Sequence, residues 1–260
     1  MRIESCRLFK MVSMALLSRQ KLVLILLAVY WPALFILAHI PIPQFVRQAG
    51  VSDKTLHFLA YLILVFLLWV TISRDKKVDW RRAIVWWVLL SVLGYGVVDE
   101  LLQGCVGRSC DVRDFAADLA GVLAGLILLS FFTFWPAVLI VTGATIFGLT
   151  NVSRVNLADV LPVTNILLHL FGYAIFTLLW IQFIDLFLSP KPPKLRWLII
   201  ALALPTGFLS AVKLFSAIAG KSSGLRDVIL AAVGIVVVVS TFYLTTLFRQ
   251  LSGNSGAIGK

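Results

Sequence analysis

Apolar runs close to twenty residues long, separated by short polar and charged segments, recur along the whole chain. A helix needs about 20 such residues to cross the hydrocarbon core of a bilayer. Eight stretches qualify: Leu22–Ile40, Leu56–Ser73, Arg82–Gln103, Asp114–Phe132, Phe134–Thr150, Asn165–Phe187, Leu195–Ile218 and Arg226–Phe248. The fifth is short and joins the fourth through only Phe131–Trp135. Pro32, inside the first, is tolerated in a membrane helix and gives it a place to kink. The pattern predicts an all-α integral membrane protein of about eight transmembrane helices.

Composition points the same way. The chain is 60% hydrophobic and 13% charged, whereas a soluble domain is roughly 45–50% apolar and about 25% charged. A soluble core of this size has no room for so much apolar surface, so the excess must face lipid. The first stretch is not expected to be a cleaved signal peptide. Its basic leader from Met1 to Lys21 is long, and no small-residue cleavage site follows Ile40.

A net charge of +11 in a soluble chain would raise the question of nucleic acid. Here the placement of the charges answers it differently. With eight spans both termini share one side, and that side carries 15 of the 23 basic residues, against seven on the other. The positive-inside rule then puts the termini in the cytoplasm. Much of the excess serves topology and contact with anionic lipids, and no nucleic-acid partner is expected. Of the three cysteines, Cys6 lies in the cytoplasmic leader, while Cys105 and Cys110 flank an outer turn. The latter two are either a tight disulfide or two free thiols.

An internal repeat is also legible. His57-Phe-Leu-Ala-Tyr61 pairs with His169-Leu-Phe-Gly-Tyr173, and the segment from Gly107 to Arg113-Asp114 pairs with that from Gly220 to Arg226-Asp227. Gly121 then falls opposite Gly234. Four spans per copy return the chain to its starting side, so the predicted architecture is two parallel four-helix repeats. The expected organisation is a leader over residues 1–21, a first repeat over 22–133, a degenerate second repeat over 134–250 and a tail over 251–260. In the second copy Lys213 stands opposite Glu100, Ser216 opposite Gln103, Gly224 opposite Asp111 and Ala231 opposite Asp118. The first copy is therefore the functional candidate. In the second, Lys213 is expected to pair with Asp227, the counterpart of Asp114, or else to reach the acidic cluster around Asp118.

Five of the twelve acidic residues, Asp99, Glu100, Asp111, Asp114 and Asp118, fall in one window of twenty. Ionisable groups at this depth are costly unless paired, solvated or used. Asp114, Asp118, Gly121 and Gly125 share one helical stripe, and its small residues invite a close neighbouring helix. Glu100 and Gln103 share a second face, and Lys54, His57 and Tyr61 a third. Each residue has a plain structural reading as well. Asp114 is a natural cap for the fourth helix, His57 a satisfied buried histidine, Tyr61 an interfacial aromatic, Lys54 a snorkelling cation and Arg108 a loop charge.

Asp53-Lys54-x-x-His57-Phe58-x-x-Tyr61 resembles the opening motif of the VanZ-like membrane proteins. Glu100-x-x-Gln103, Gly107-Arg108 and Asp114-x-x-x-Asp118-x-x-Gly121-x-x-x-Gly125 resemble their second block. The likeness runs from the first span to about Leu129, with an eroded version beyond. Asp118 departs from the family, which usually carries Asn there. The resemblance implies a bacterial envelope protein of the cytoplasmic membrane, in a family named for a factor linked to teicoplanin resistance. It supplies no reaction.

Three functions fit the residues. One is binding or handling of an envelope lipid, a lipid-linked glycan or a glycopeptide at the outer face. Lys54 and Arg108 would meet phosphate or carboxylate groups, and the acidic residues would meet hydroxyls or amines. The second is an intramembrane hydrolase or transferase, with Glu100, Asp114, Asp118 and His57 around a divalent cation. The third is a transporter built on the repeat. The first is preferred. The binding candidates are Lys54, His57, Tyr61, Glu100, Gln103, Arg108, Asp111, Asp114 and Asp118, with no cofactor or metal assigned.

Overall fold

A segment in hydrocarbon has no water to bond its N–H and C=O groups, so it bonds them internally, and each apolar stretch is a helix. The computed structural model describes residues 2–39, 53–73, 75–105, 111–152, 162–188, 194–221 and 224–258. Among them there is no strand. The helices are α1 (Arg2–His39), α2 (Asp53–Ser73), α3 (Ala83–Cys105), α4 (Val112–Phe131), α5 (Phe134–Phe147), α6 (Pro162–Leu167), α7 (Tyr173–Phe187), α8 (Leu195–Ile218) and α9 (Leu225–Ile258). A π-helical turn at Gly148–Val152 prolongs α5, and another at Leu168–Gly172 joins α6 to α7. Eight stretches are long and apolar enough to cross a membrane, with bounds within three residues of those predicted. The fifth reaches membrane length, Phe134–Val152, through its π turn. Large apolar side chains such as Val29, Leu37, Trp87, Leu90 and Leu101 lie on the outside, as lipid requires. The chain is an all-α, multi-pass membrane protein.

Two compact units form, one from Met1–Arg47 with Asp53–Ala137, the other including Val138–Lys260. In the first, α4 lies directly on α2. A Cβ at Gly121 would collide with the carbonyl oxygen of Phe58, and one at Gly125 with the Val65 side chain. Only glycine allows that approach. Val122, Leu126 and Leu129 of α4 are buried, as are Leu62, Leu64, Val65, Phe66 and Trp69 of α2. Away from that contact, the turn after α2 latches the bundle. Asp75 adopts a left-handed φ of 73°, a conformation aspartate tolerates better than most residues. Its carboxylate accepts from the Phe134 backbone N–H at 2.9 Å and pairs with Arg19 at 2.9 Å.

The second unit has a close glycine contact of its own. A Cβ at Gly234 of α9 would collide with the carbonyl oxygen of Leu170. Around that contact Tyr173, Ile181, Ile184, Trp197, Ala201 and Ile235 form a fully buried core.

Gly121→Val must force α4 away from α2, and overpacking of this kind costs about 1–3 kcal/mol or more. Heating the detergent-solubilised protein and measuring the monodisperse fraction should give a clear loss for Gly121→Val. Gly94→Ala, where a Cβ meets nothing within 4 Å, should lose nothing.

Candidate functional site

The site begins where α3 ends and α4 starts. Asp111 is the N-cap of α4, with extended backbone at φ −119° and ψ 115°, and its side chain accepts from the Arg113 N–H at 2.9 Å. Its own N–H donates to Glu100 Oε1 of α3 at 2.6 Å. In a capping box the carboxylate three residues after the cap fills that role. Here Glu100 fills it, so one carboxylate ties the start of α4 to the end of α3. This corrects the expectation that Asp114 caps the helix. Asp114 is buried in the first turn, where a negative charge meets the helix dipole favourably. Lys54 stands at the rim, half exposed, with Nζ 3.9 Å from Asp111 Oδ2. An exposed pair of that kind contributes only about 0–1 kcal/mol.

Deeper in, roughly 9 Å along α4 from its start at 1.5 Å per residue, Asp118 accepts from His57 Nδ1 at 2.9 Å, with side chains 2% and 10% exposed. A carboxylate only accepts, so Nδ1 carries the proton. The stripe of Asp114, Asp118, Gly121 and Gly125 faces α2 as its spacing predicted, and all four residues are buried.

The Glu100–Gln103 face divides. Gln103 Nε2 donates to Asp99 Oδ2 at 2.9 Å, while Glu100 turns to Asp111. The stripe that matters on α3 is Tyr95, Asp99 and Gln103, at i, i+4 and i+8. Asp99 Oδ1 has only long contacts among the described residues, 3.5 Å to the Tyr95 hydroxyl and 3.8 Å to His39 Nδ1. Tyr61 is 1% exposed, and its hydroxyl has no hydrogen-bond partner among the described residues. Gly96 makes its room. A Cβ there would stand 3.2 Å from Tyr61 Oη and 3.4 Å from Asp118 Oδ2.

Lys54, His57, Tyr61, Glu100, Gln103, Asp111, Asp114 and Asp118 thus gather at one end of the first unit. Glu100 lies within electrostatic reach of His57, Asp114 and Asp118, as Asp99 does of His39, His57 and Asp118. Arg108 and Cys110 lie outside the described residues. Cys105, at the end of α3, is exposed. Sequence reasoning missed His39, Tyr95 and Gly96, and counted Asp99 without giving it a role. The i, i+4, i+8 spacing on α3 was the available signal. Among the described residues no three His, Cys, Asp or Glu side chains come together as a metal-ligand set.

The second unit holds a different polar cluster. Lys213 pairs with Asp227 at 3.6 Å, both side chains 12% exposed, as its sequence position anticipated. Asn165 Nδ2 donates to Asp227 Oδ1 at 2.8 Å. Lys213 Nζ also lies 3.3 Å from His169 Nε2, and His169 Nδ1 lies 2.9 Å from the Asn165 carbonyl. An ammonium and a carbonyl fix the tautomer: Nε2 accepts and Nδ1 donates. Asn151 donates to the Val212 carbonyl at 3.2 Å and accepts from Ser216 Oγ.

Two stability outcomes follow. Lys213→Met leaves Asp227 buried without its cation and should cost about 3–5 kcal/mol. Adding Asp227→Asn should recover most of that loss in the same heating assay. Tyr61→Phe removes a buried hydroxyl that has no partner among the described residues, so thermal stability should stay level or rise, because the penalty for such a group is about 1–3 kcal/mol.

Neither the curated proteins nor the solved structures include a match to this chain. Residues 9–133 match the VanZ/LLP1 family, a span that takes in α2, α3, α4 and every residue of the first cluster. Over that span, a little under half of the chain, it is a VanZ-like membrane protein.

Proposed function

We propose that the chain binds or handles an envelope lipid, a lipid-linked glycan or a glycopeptide at the extracytoplasmic ends of α1 to α4. In this reading it sits in a bacterial cytoplasmic membrane with both termini inside, on the charge asymmetry of its loops. The observation that carries it is the buried, acceptor-rich cluster at one end of the first unit. Asp99, Glu100, Asp114 and Asp118 are all buried in a lipid-facing bundle. Buried intramembrane carboxylates are retained where they serve a substrate or a partner. Acceptors of this density suit amines and sugar hydroxyls, and Lys54 at the rim suits a phosphate or carboxylate on the same ligand.

The second unit reads as a degenerate copy that has kept its packing and lost this chemistry. Tyr61 and Tyr95 approach at 6.1 Å between ring centroids, and their counterparts Tyr173 and Phe208 at 6.0 Å. The glycine-on-carbonyl contact also recurs, with Gly121 on Phe58 and Gly234 on Leu170. The intramembrane hydrolase and the transporter have no comparable observation behind them.

Two experiments test the reading. In a cysteine-free background, Arg113→Cys should label with an impermeant maleimide from outside intact cells, and Lys77→Cys only after lysis. Both labelling from outside would sink the topology. Separately, envelope lipids and glycopeptides such as teicoplanin retained by the purified protein should fall about tenfold, or 1.4 kcal/mol, in Glu100→Gln and Asp114→Asn at near-normal membrane abundance. Retention equal to that of the parent protein would remove the functional role from the cluster.

A further inference from the structure

An open apolar groove of about 660 Å³ runs along α1 beside α3, lined by Leu24, Leu27, Ala28, Trp31, Pro32, Phe35, Ile36 and Tyr95. All but Tyr95 come from α1, and the one hydroxyl is that of Tyr95. From Leu24 to Ile36 the helix rises roughly 18 Å, close to one leaflet of a hydrocarbon core about 30 Å thick. Both ends of α1 lie outside this stretch, and the His39 end is the one that meets the polar cluster.

Two lining residues hold the groups where groove and cluster join. Phe35 accepts through its carbonyl from His39 Nδ1 at 2.8 Å, and its ring lies 4.2 Å from the His39 ring. Tyr95 packs edge-on to Trp31 at 5.4 Å and points its hydroxyl at Asp99. A carbonyl only accepts, so Nδ1 of His39 carries a proton and neutral His39 offers Nε2 as an acceptor. That nitrogen is buried with no hydrogen-bond partner among the described residues. Asp99 Oδ1 has contacts too long to satisfy a carboxylate oxygen, and the buried Tyr61 hydroxyl is unmet. Beyond its lining residues Phe35 and Tyr95 the groove is therefore flanked by two acceptors short of donors, His39 Nε2 and Asp99 Oδ1.

We propose that this groove seats one acyl chain of a bilayer lipid whose amine-bearing head group donates to Asp99, with His39 and Tyr61 beside it. The proposal rests on the binding role given to the cluster above and names the class of amphiphile it takes. An apolar cleft open to the membrane fills with hydrocarbon, and a carboxylate at its polar end selects a cationic donor over an anionic head group.

The test uses the full-length protein in vesicles containing phosphatidylethanolamine or phosphatidylglycerol, each with a photoreactive acyl chain, and maps the adducts by mass spectrometry. With phosphatidylethanolamine, adducts should concentrate between Leu24 and Ile36 and at Tyr95. They should drop about tenfold in Ala28→Trp, which fills the groove, and stay level in Leu37→Trp, whose 68% exposed side chain lies on the opposite face of α1. Asp99→Asn should lower labelling by phosphatidylethanolamine and leave labelling by phosphatidylglycerol unchanged. Adducts spread evenly over the outer helix faces would overturn the tail site. Equal labelling by both lipids with no response to Asp99→Asn would overturn the head-group assignment, and the proposal with it. Groove labelling that persists while Glu100→Gln and Asp114→Asn retain every ligand would count against the functional reading and leave this one standing.

Discussion

Everything in the first unit hangs on how closely α4 approaches α2. In lipid there is no hydrophobic force to push helices together, so they associate through packing and hydrogen bonds at short range. Gly121 under the Phe58 carbonyl and Gly125 under Val65 provide that range. His57 adjoins Phe58 in sequence, and Asp118 precedes Gly121 by less than one turn. The point of closest backbone approach therefore sits beside the His57–Asp118 pair and sets its 2.9 Å separation. A side chain at position 121 would widen the crossing and take the two groups out of reach. Gly96 does the same on α3, where its missing Cβ lets Tyr61 and Asp118 share one small space.

From that contact outward the polar groups form a gradient. At the rim, Lys54 and Asp111 are 47% and 39% exposed and 3.9 Å apart, an arrangement that water nearly neutralises. Further in, Glu100 holds the Asp111 N–H, and Gln103 holds Asp99. At the bottom, Tyr61 is 1% exposed with its hydroxyl unmet. The same interaction is worth more as the dielectric falls, and so is its absence. The energetic weight of the cluster therefore lies at Asp118, Asp99 and Tyr61, while its rim pair adds little.

Much of this was legible in the sequence. Hydropathy places the eight spans because only a helix satisfies its backbone in lipid, and length and apolarity are then sufficient signals. The inward stripe of α4 followed from period alone, since Asp and Gly at i, i+4, i+7 and i+11 cannot face hydrocarbon together. What period could not reveal were choices among neighbours. Gln103 is three residues from Glu100 and four from Asp99, and both spacings fit one helix face. The bond from Asp111 N–H decides it by drawing Glu100 away. The N-cap was ambiguous for the same reason, with two aspartates three residues apart and only the backbone of Asp111 extended. His39 was invisible because its contact, Asp99, lies sixty positions further along the chain and depends on how α1 packs.

The two units answer one problem in opposite ways. Each brings a histidine-bearing helix and a glycine-bearing helix into backbone contact, and each buries carboxylate at the resulting crossing. In the second unit Lys213 supplies the cation, Asn165 a further donor and His169 an acceptor for the lysine, so Asp227 is met from within the fold. In the first unit Glu100 adds a further negative charge within electrostatic reach of Asp114 and Asp118. Asp99 receives one good donor, from Gln103, and its second oxygen keeps only contacts of 3.5 and 3.8 Å. An internal counter-ion makes a crossing self-sufficient and closes it to ligands. A crossing that leaves an acceptor under-bonded beside a buried hydroxyl is the one with something to gain from an external donor, and that asymmetry is the physical ground for the proposal that the first unit binds.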